Sequence, residues 1–180
     1  MNKIAVVYRS KYGATKQYAE WIASALDADI FNATDVVISR LKGYDLIIYG
    51  GGIYAGYISN ISLVSKFPPK PLIIFTVGLA DPAEVNFIPT LEKSLSPAKI
   101  KSSKFFHFRG ALDIDKLGFF HGRIIKMLKK ALQKKDASQL RSEEVAILQS
   151  LGQKVDFASQ DAIAPIIEYV KQLEGGEHHG

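Results

Sequence analysis

The sequence has no cysteine among its 180 residues. That excludes a disulfide framework, thiol chemistry and cysteine-ligated metal or iron–sulfur centres. It also lacks any apolar run near the ~18–20 residues of a membrane span. At the start, Lys3 is followed by only five residues, Ile4 to Tyr8, before Arg9. That is too short for the apolar core of a signal peptide, so the expected location is the cytoplasm. Neither a Walker loop nor a Gly-x-Gly-x-x-Gly dinucleotide turn occurs. Paired carboxylates, a Ser-His-Asp set and a metal-ligating cluster are missing too, so hydrolytic chemistry is not expected, and no metal. Acidic residues are absent from one stretch. Residues 116–135 carry seven Lys or Arg and no Asp or Glu, leaving sixteen basic against eighteen acidic residues elsewhere. The formal net charge of +5 is therefore local to that stretch. A nucleic-acid binder spreads its charge over a face with interleaved exposed aromatics, so no nucleic-acid partner is expected.

What is present is ordinary for a globular chain: 47% hydrophobic and 23% charged residues. Apolar runs at 3–8, 29–32, 45–49, 72–77 and 104–109 read as strands. Three of them are almost continuously apolar, as strands buried on both faces should be. Helical patterns fall between and after them, at 14–26, 36–41, 58–66, 84–95, 117–133, 142–151 and 160–173, the last with Ser159 as a candidate N-cap. Alternation of this kind predicts the α/β class: a three-layer α/β/α sandwich around a five-stranded parallel sheet of order 2-1-3-4-5. One domain is expected over 1–174, with 110–156 as an extended, partly helical insert. The tail 175–180 reads as disordered, its His178 and His179 as solvated.

The first strand runs into Ser10-Lys11-Tyr12-Gly13-Ala14-Thr15, and a helix follows. This order gathers backbone N–H groups and the positive end of a helix dipole at one spot, beside the hydroxyls of Ser10, Tyr12 and Thr15. Gly13 allows positive φ or close approach of the backbone. The loop is a cradle for a phosphate; a turn capped by Ser10 or Thr15 is the other reading. The third strand closes on Gly50-Gly51-Gly52, followed by Ile53-Tyr54-Ala55-Gly56-Tyr57. Three consecutive glycines permit close approach to a flat ligand, with Tyr54 and Tyr57 available to stack on it, or else form a flexible turn whose tyrosines cap the core. A third small-residue loop, Thr76-Val77-Gly78-Leu79-Ala80, ends the fourth strand. In the strand order above, all three loops border one crevice. Together they call for a ligand with a phosphate at one end and a planar ring at the other. His107, within an apolar run, reads as a packed core residue.

These motifs resemble those of flavodoxin-fold FMN proteins along most of the chain. The resemblance implies FMN as cofactor, with Ser10, Lys11, Tyr12, Gly13, Ala14 and Thr15 on its phosphate. It implies Gly52, Ile53, Tyr54, Ala55 and Gly56 on one side of the ring, and Thr76, Val77, Gly78, Leu79 and Ala80 on the other. It makes Gly51-Gly52 the candidate for a peptide that turns with redox state. Within that fold, the glycine segment and Gly110-Ala111-Leu112, followed by Phe119, Phe120, Arg123, Ile124, Lys126 and Met127, are similar to the menaquinone-dependent protoporphyrinogen oxidase family. The chain departs from it at Tyr54, where the family often has Arg, and in the less aromatic residues 113–118. The function implied is an oxidoreductase passing electrons from a bulky substrate through FMN to a quinone. The alternative is a soluble carrier between protein redox partners.

The basic stretch has two readings. Phe120, Ile124, Met127, Leu128, Ala131 and Leu132 recur at helical spacing, with the lysines mainly off that stripe. Either the stripe faces the core and the basic face is solvated, or the helix borders the crevice and meets an acidic substrate or anionic lipid, the latter as a peripheral contact through 116–135 with the inner face of a membrane.

Overall fold

The computed structural model describes residues 3–54, 56–86, 88–112, 119–149 and 154–176. The sheet is built from β1 (Ile4–Arg9), β2 (Asp29–Asn32), β3 (Leu46–Tyr54), β5 (Leu72–Gly78) and β6 (Ser103–Arg109), in the order β2-β1-β3-β5-β6. Every pair along that path is parallel. This is the expected five-stranded order. The skipped number belongs to β4 (Tyr57–Ile58), a two-residue strand that folds back antiparallel on β3.

Alternation along each strand sends neighbouring side chains to opposite faces. Ile4, Val6, Ile48 and Phe75 join Tyr18 and Ile22 of helix α1 (Ala14–Leu26) and Ile166 and Val170 of helix α6 (Ala164–Gly176) in one core. Ala5, Val7, Ile47 and Ile74 join Leu41, Ile61, Val64 and Leu91 in a second core across the sheet. Both faces are thus covered, which is why the strand sequences are apolar without a polar alternation.

The second face is covered differently from the expectation. The helices expected at 36–41 and 58–66 are 3-10 segments, Ile38–Gly43 and Ile61–Lys66. Ile58 pairs with Ile53 in the β3–β4 hairpin, and Asn60 takes a left-handed φ of 53°, so no helix can begin before Ile61. The helix expected at 84–95 breaks into the 3-10 turn Pro82–Glu84 and α2 (Ile88–Leu91). Pro89 has no N–H and its ring clashes with the carbonyl four residues back, so it is tolerated only in a first turn. A further helix, α3 (Pro97–Lys101), was not expected; Ser96 Oγ accepts from the Lys99 N–H at 3.3 Å and Pro97 starts it.

β3 runs straight through the triple glycine. Gly50, Gly51 and Gly52 pair with Phe75, Thr76 and Val77 of β5. They are strand residues rather than a loop, and the reason is packing. A Cβ on Gly50 would stand 2.1 Å from Phe75 Cζ, and one on Gly51 would stand 2.6 Å from Ile58 Cγ2. The Gly51–Gly52 peptide sits in this ladder, so it does not have the freedom that the expected redox-linked turn requires.

After β6 the chain leaves the sheet at Gly110. Two short strands, β7 (Ala111–Leu112) and β8 (Val155–Asp156), pair antiparallel and bracket the insert. Inside it lie α4 (Phe119–Leu132) and α5 (Ser142–Gln149), around a small core of Leu112, Leu132 and Ile147. The expected apolar stripe of α4 does not hold as a core face. Leu132 is buried, but Met127 is 72% and Leu128 40% exposed, and Ala131 is also exposed. The side chains of Phe120 and Ile124 lie outside the described residues. At the other end, α6 continues through Gly175 and Gly176, the first two residues of the tail expected to be disordered; 177–180 lie outside the described residues.

Candidate functional site

A crevice of about 690 Å³ opens at the carboxyl ends of β1, β3, β5 and β6. That volume lies within the range of small-molecule sites, and the position is where open parallel sheets bind ligands. Four segments make its walls. Tyr12 comes from the β1–α1 loop, Ala14 and Thr15 from the first turn of α1, and Ile53, Tyr54, Gly56 and Ile58 from the β3–β4 hairpin. Val77, Gly78, Leu79 and Ala80 come from the end of β5, and His107 and Gly110 to Leu112 from β6 and beyond. The insert adds a roof through Leu128, Arg141, Glu143 and Ile147.

The β1–α1 loop is held open by its own geometry. Gly13 has φ 102°, a conformation closed to most residues, and stands at the N-cap of α1. Ser10 Oγ accepts from the Gly13 N–H at 3.0 Å, which ties the loop to itself and takes that donor out of use. Thr15, in the first turn, is 2% exposed. Tyr54 meets Tyr12 edge-on at 5.5 Å between ring centroids, and Lys11 Nζ lies 5.3 and 5.9 Å from the two rings. Burial raises the Tyr54 pKa, so its hydroxyl is neutral at ordinary pH.

The β5 loop is fixed from beneath by β6. His107 is buried, with Nδ1 2.9 Å from Thr76 Oγ1 and Nε2 3.2 Å from the Ala80 carbonyl. A carbonyl can only accept, so Nε2 carries the proton, and Nδ1 accepts from the Thr76 hydroxyl. Burial lowers the His107 pKa to about 4, with the Arg109 charge acting in the same direction. Arg109 Nε donates to the Leu79 carbonyl at 3.3 Å, and its guanidinium packs 3.6 Å from the Phe157 ring. The loop is therefore pinned at two successive carbonyls.

The roof is tied to the same loop. The Asp81 N–H donates to Ser142 Oγ at 2.7 Å, and both the N–H and hydroxyl of Ser142 donate to Glu84 Oε2, at 3.1 and 2.9 Å. Glu144, buried, accepts from Lys135 Nζ at 2.8 Å and from the Arg141 N–H at 3.0 Å. These contacts, led by the Lys135 hydrogen bond, hold its carboxyl below the usual range.

Of the residues singled out in the sequence, Tyr12, Ala14, Thr15, Ile53, Tyr54, Gly56, Val77, Gly78, Leu79 and Ala80 line this one crevice. Ser10, Lys11 and Gly13 stand beside it in the first loop. Gly52 lies beneath the Tyr54 ring, and Thr76 lies behind the wall, bonded to His107. Ala55 lies outside the described residues. Glu84 to Asn86, Arg141, Glu143 and Ile147 were not anticipated. No local pattern marks them, because a contact 58 residues apart in the chain, Glu84 to Ser142, brings them to the crevice.

Residues 5–139 match the family described as the flavodoxin domain. The chain belongs to the flavodoxin domain family. An uncharacterized protein of Methanocaldococcus jannaschii is 34% identical over 82 residues, which cover 42% of this chain and 55% of that protein. The chain thus spans about half the length of the curated relative it matches. Among solved structures, the Trp repressor binding protein of Bacillus subtilis aligns over 60% of this flavodoxin-domain chain and 85% of its own, at 18% identity and TM-score 0.45. A flavodoxin from the domain Archaea aligns over 59% and 82%, at 19% identity and TM-score 0.44. A Fusobacterium nucleatum flavodoxin mutant bound to flavin mononucleotide aligns over 64% and 72%, at 16% identity and TM-score 0.41.

Proposed function

We propose that this flavodoxin-domain protein binds FMN and acts as an oxidoreductase of the menaquinone-dependent protoporphyrinogen oxidase-like kind, moving electrons from a bulky substrate to a quinone. The observation that carries the reading is the crevice, which joins an amide-rich loop at a helix N-terminus to an apolar slot and continues under a roof made by the insert. A carrier that only docks to protein partners has no use for that roof.

The donor set fits FMN. Lys11 and Tyr12 offer backbone N–H groups in the first loop, and Gly13 stands at the N-cap of α1, at the positive end of the helix. The hairpin and the pinned Gly78–Ala80 segment offer two small-residue walls for a planar ring. FMN, when bound, supplies the electron transfer. The residues of the chain do the rest. The first loop anchors the phosphate, and Ile53 and Leu79 keep water from the slot. His107 and Arg109 hold the β5 loop in place without giving up a proton. The roof, through Leu128, Ile147, Arg141 and Glu143, meets the substrate with both apolar and charged groups.

Exposed Met127 and Leu128 beside Lys130 and Lys134 support a peripheral membrane contact of α4, which would bring the crevice to a lipid-dissolved quinone. In the described residues no helix is long and apolar enough to cross a membrane. The test is anaerobic: the FMN-loaded protein is reduced chemically and mixed with a short-chain menaquinone or with an oxidised electron-carrier protein. Rapid reoxidation by the quinone is expected. Reoxidation by the carrier alone would favour the carrier reading.

A further inference from the structure

We infer that two copies of this chain pair edge to edge through β6, antiparallel about a two-fold axis at Phe106, joining their sheets into one. The inference does not depend on the flavin reading and concerns a different face of the molecule.

The place is the last strand of the sheet. Among the described residues, β5 is the one strand that pairs with β6. On its other side runs a groove of about 590 Å³. Residues 105–109 all line it, with Pro82 from one layer and Ala162 and Pro165 from the other. A cavity over one face of a sheet meets every second residue, so five in succession place this one along the backbone edge. An edge of this kind is a template for a further strand. Of the groove's lining, only His107 also lines the crevice described above.

Hydrogen bonds fix the phase of the strand. The Gly110 N–H donates to the Gly78 carbonyl of β5 at 2.6 Å. The Thr76 hydroxyl of β5 donates to the Phe106 carbonyl at 3.5 Å. Even-numbered residues therefore turn their backbone groups to β5, and odd-numbered ones turn theirs to the groove. The Arg109 carbonyl does so, accepting from the Tyr18 hydroxyl at 2.9 Å, which closes the carboxyl end of the edge. Phe106, the middle residue of the strand, takes a non-hydrogen-bonded position across the edge. Its half-buried ring then meets the same ring of the second copy as a cross-strand aromatic pair.

Charge selects a second copy as the occupant. Exposed Lys104 stands at the amino end, its Nζ 5.4 Å from the Tyr169 ring. Exposed Asp161 stands at the carboxyl end. It adjoins Ala162 of the groove, and the nearby Ser159 N–H donates to the Tyr18 hydroxyl that holds Arg109. Arg109 at this end is engaged, donating to the Leu79 carbonyl and packed on Phe157. An antiparallel second copy turns its own Lys104 toward Asp161, twice over by symmetry. A parallel strand would set like ends together.

The test is sedimentation across a range of protein concentrations, with charge swaps. The wild type should form a dimer. Lys104→Glu and Asp161→Lys should each weaken it, by roughly several-fold to tenfold for two surface pairs, and the double swap should restore it. The chain has no cysteine, so Phe106→Cys gives a second readout. Non-hydrogen-bonded antiparallel partners have Cα atoms about 4.5 Å apart, within disulfide reach. Mild oxidation should therefore cross-link Phe106→Cys into covalent dimers. Lys104→Cys should not cross-link, since its symmetry mate lies roughly 13 Å along the strand. A protein monomeric into the millimolar range overturns the inference and makes Lys104 a guard of the edge. A dimer indifferent to both swaps, or one that cross-links at 104 but not at 106, places the interface elsewhere and overturns it too.

Discussion

Acidification tests how the β5 loop is pinned. His107 is neutral in the folded protein because burial lowers its pKa from an ordinary 6.5 to about 4. Its two nitrogens are also committed: Nε2 donates to Ala80, and Nδ1 accepts from Thr76. Protonating Nδ1 would force the Thr76 hydroxyl to turn to its other acceptor, the Phe106 carbonyl, at 3.5 Å. Since the unfolded chain takes up the proton first, stability from this group is complete above pH ~6.5 and falls as the pH drops toward ~4. At 1.36 kcal/mol per pKa unit, the loss comes to about 3 kcal/mol. The assay is urea unfolding at intervals between pH 7.5 and pH 4, for the wild type and for His107→Gln, whose amide does not titrate. Glu144 also contributes, but its pKa is lowered from that of an ordinary carboxylate, so its loss falls at lower pH and is shared by both proteins. The wild type should lose about 3 kcal/mol more than the variant across this window. Parallel curves would refute the argument and place His107 in contact with solvent.

Two further predictions follow from packing and from charge. Gly50→Ala should destabilise the fold by about 1–3 kcal/mol in urea unfolding, because the new methyl meets the buried Phe75 ring at 2.1 Å, and Phe75→Leu in the same chain should recover much of it; a neutral Gly50→Ala would mean that the strand can move aside. The protein should co-sediment with vesicles containing anionic lipid at low salt and be released at high salt, because basic groups near such a surface contribute ~1 kcal/mol each, and Lys130→Glu with Lys134→Glu should abolish it; no binding at low salt would assign α4 a soluble partner.

The parts of the fold legible in the sequence were those with a local cause. Continuous apolar runs marked the strands, because both faces of the sheet are covered. The loop from Ser10 to Thr15 was legible because a strand, a glycine and a helix start follow one another directly. Gly50 to Gly52 were misread because a glycine's reason can lie in its spatial neighbours: Phe75, Ile58 and Tyr54 fill the space that side chains would need. The helices at 58–66 and 84–95 were drawn too long, since Asn60 in a left-handed conformation and Pro89 each interrupt a pattern whose apolar spacing looks unbroken. The roof was invisible for another reason. Arg141, Glu143 and Ile147 reach the crevice through hydrogen bonds between Ser142 and the segment 81–84, a pairing that no periodicity encodes. His107 was read correctly as a packed residue, but its hold on Ala80, which shapes the crevice wall, emerged only from the register of β5 against β6.

The central claim is that the crevice binds FMN through the first loop. The direct measurement is a titration of the flavin-free protein with FMN, followed by flavin absorbance and fluorescence, repeated with riboflavin and with Thr15→Ala. One FMN per chain is expected, released on denaturation, with riboflavin bound more weakly. Thr15→Ala should reduce FMN affinity by ~1.5–3 kcal/mol, the worth of a donor to a charged acceptor, and leave riboflavin nearly unchanged. A protein that takes up no FMN, or in which Thr15→Ala weakens both flavins equally, would contradict the account.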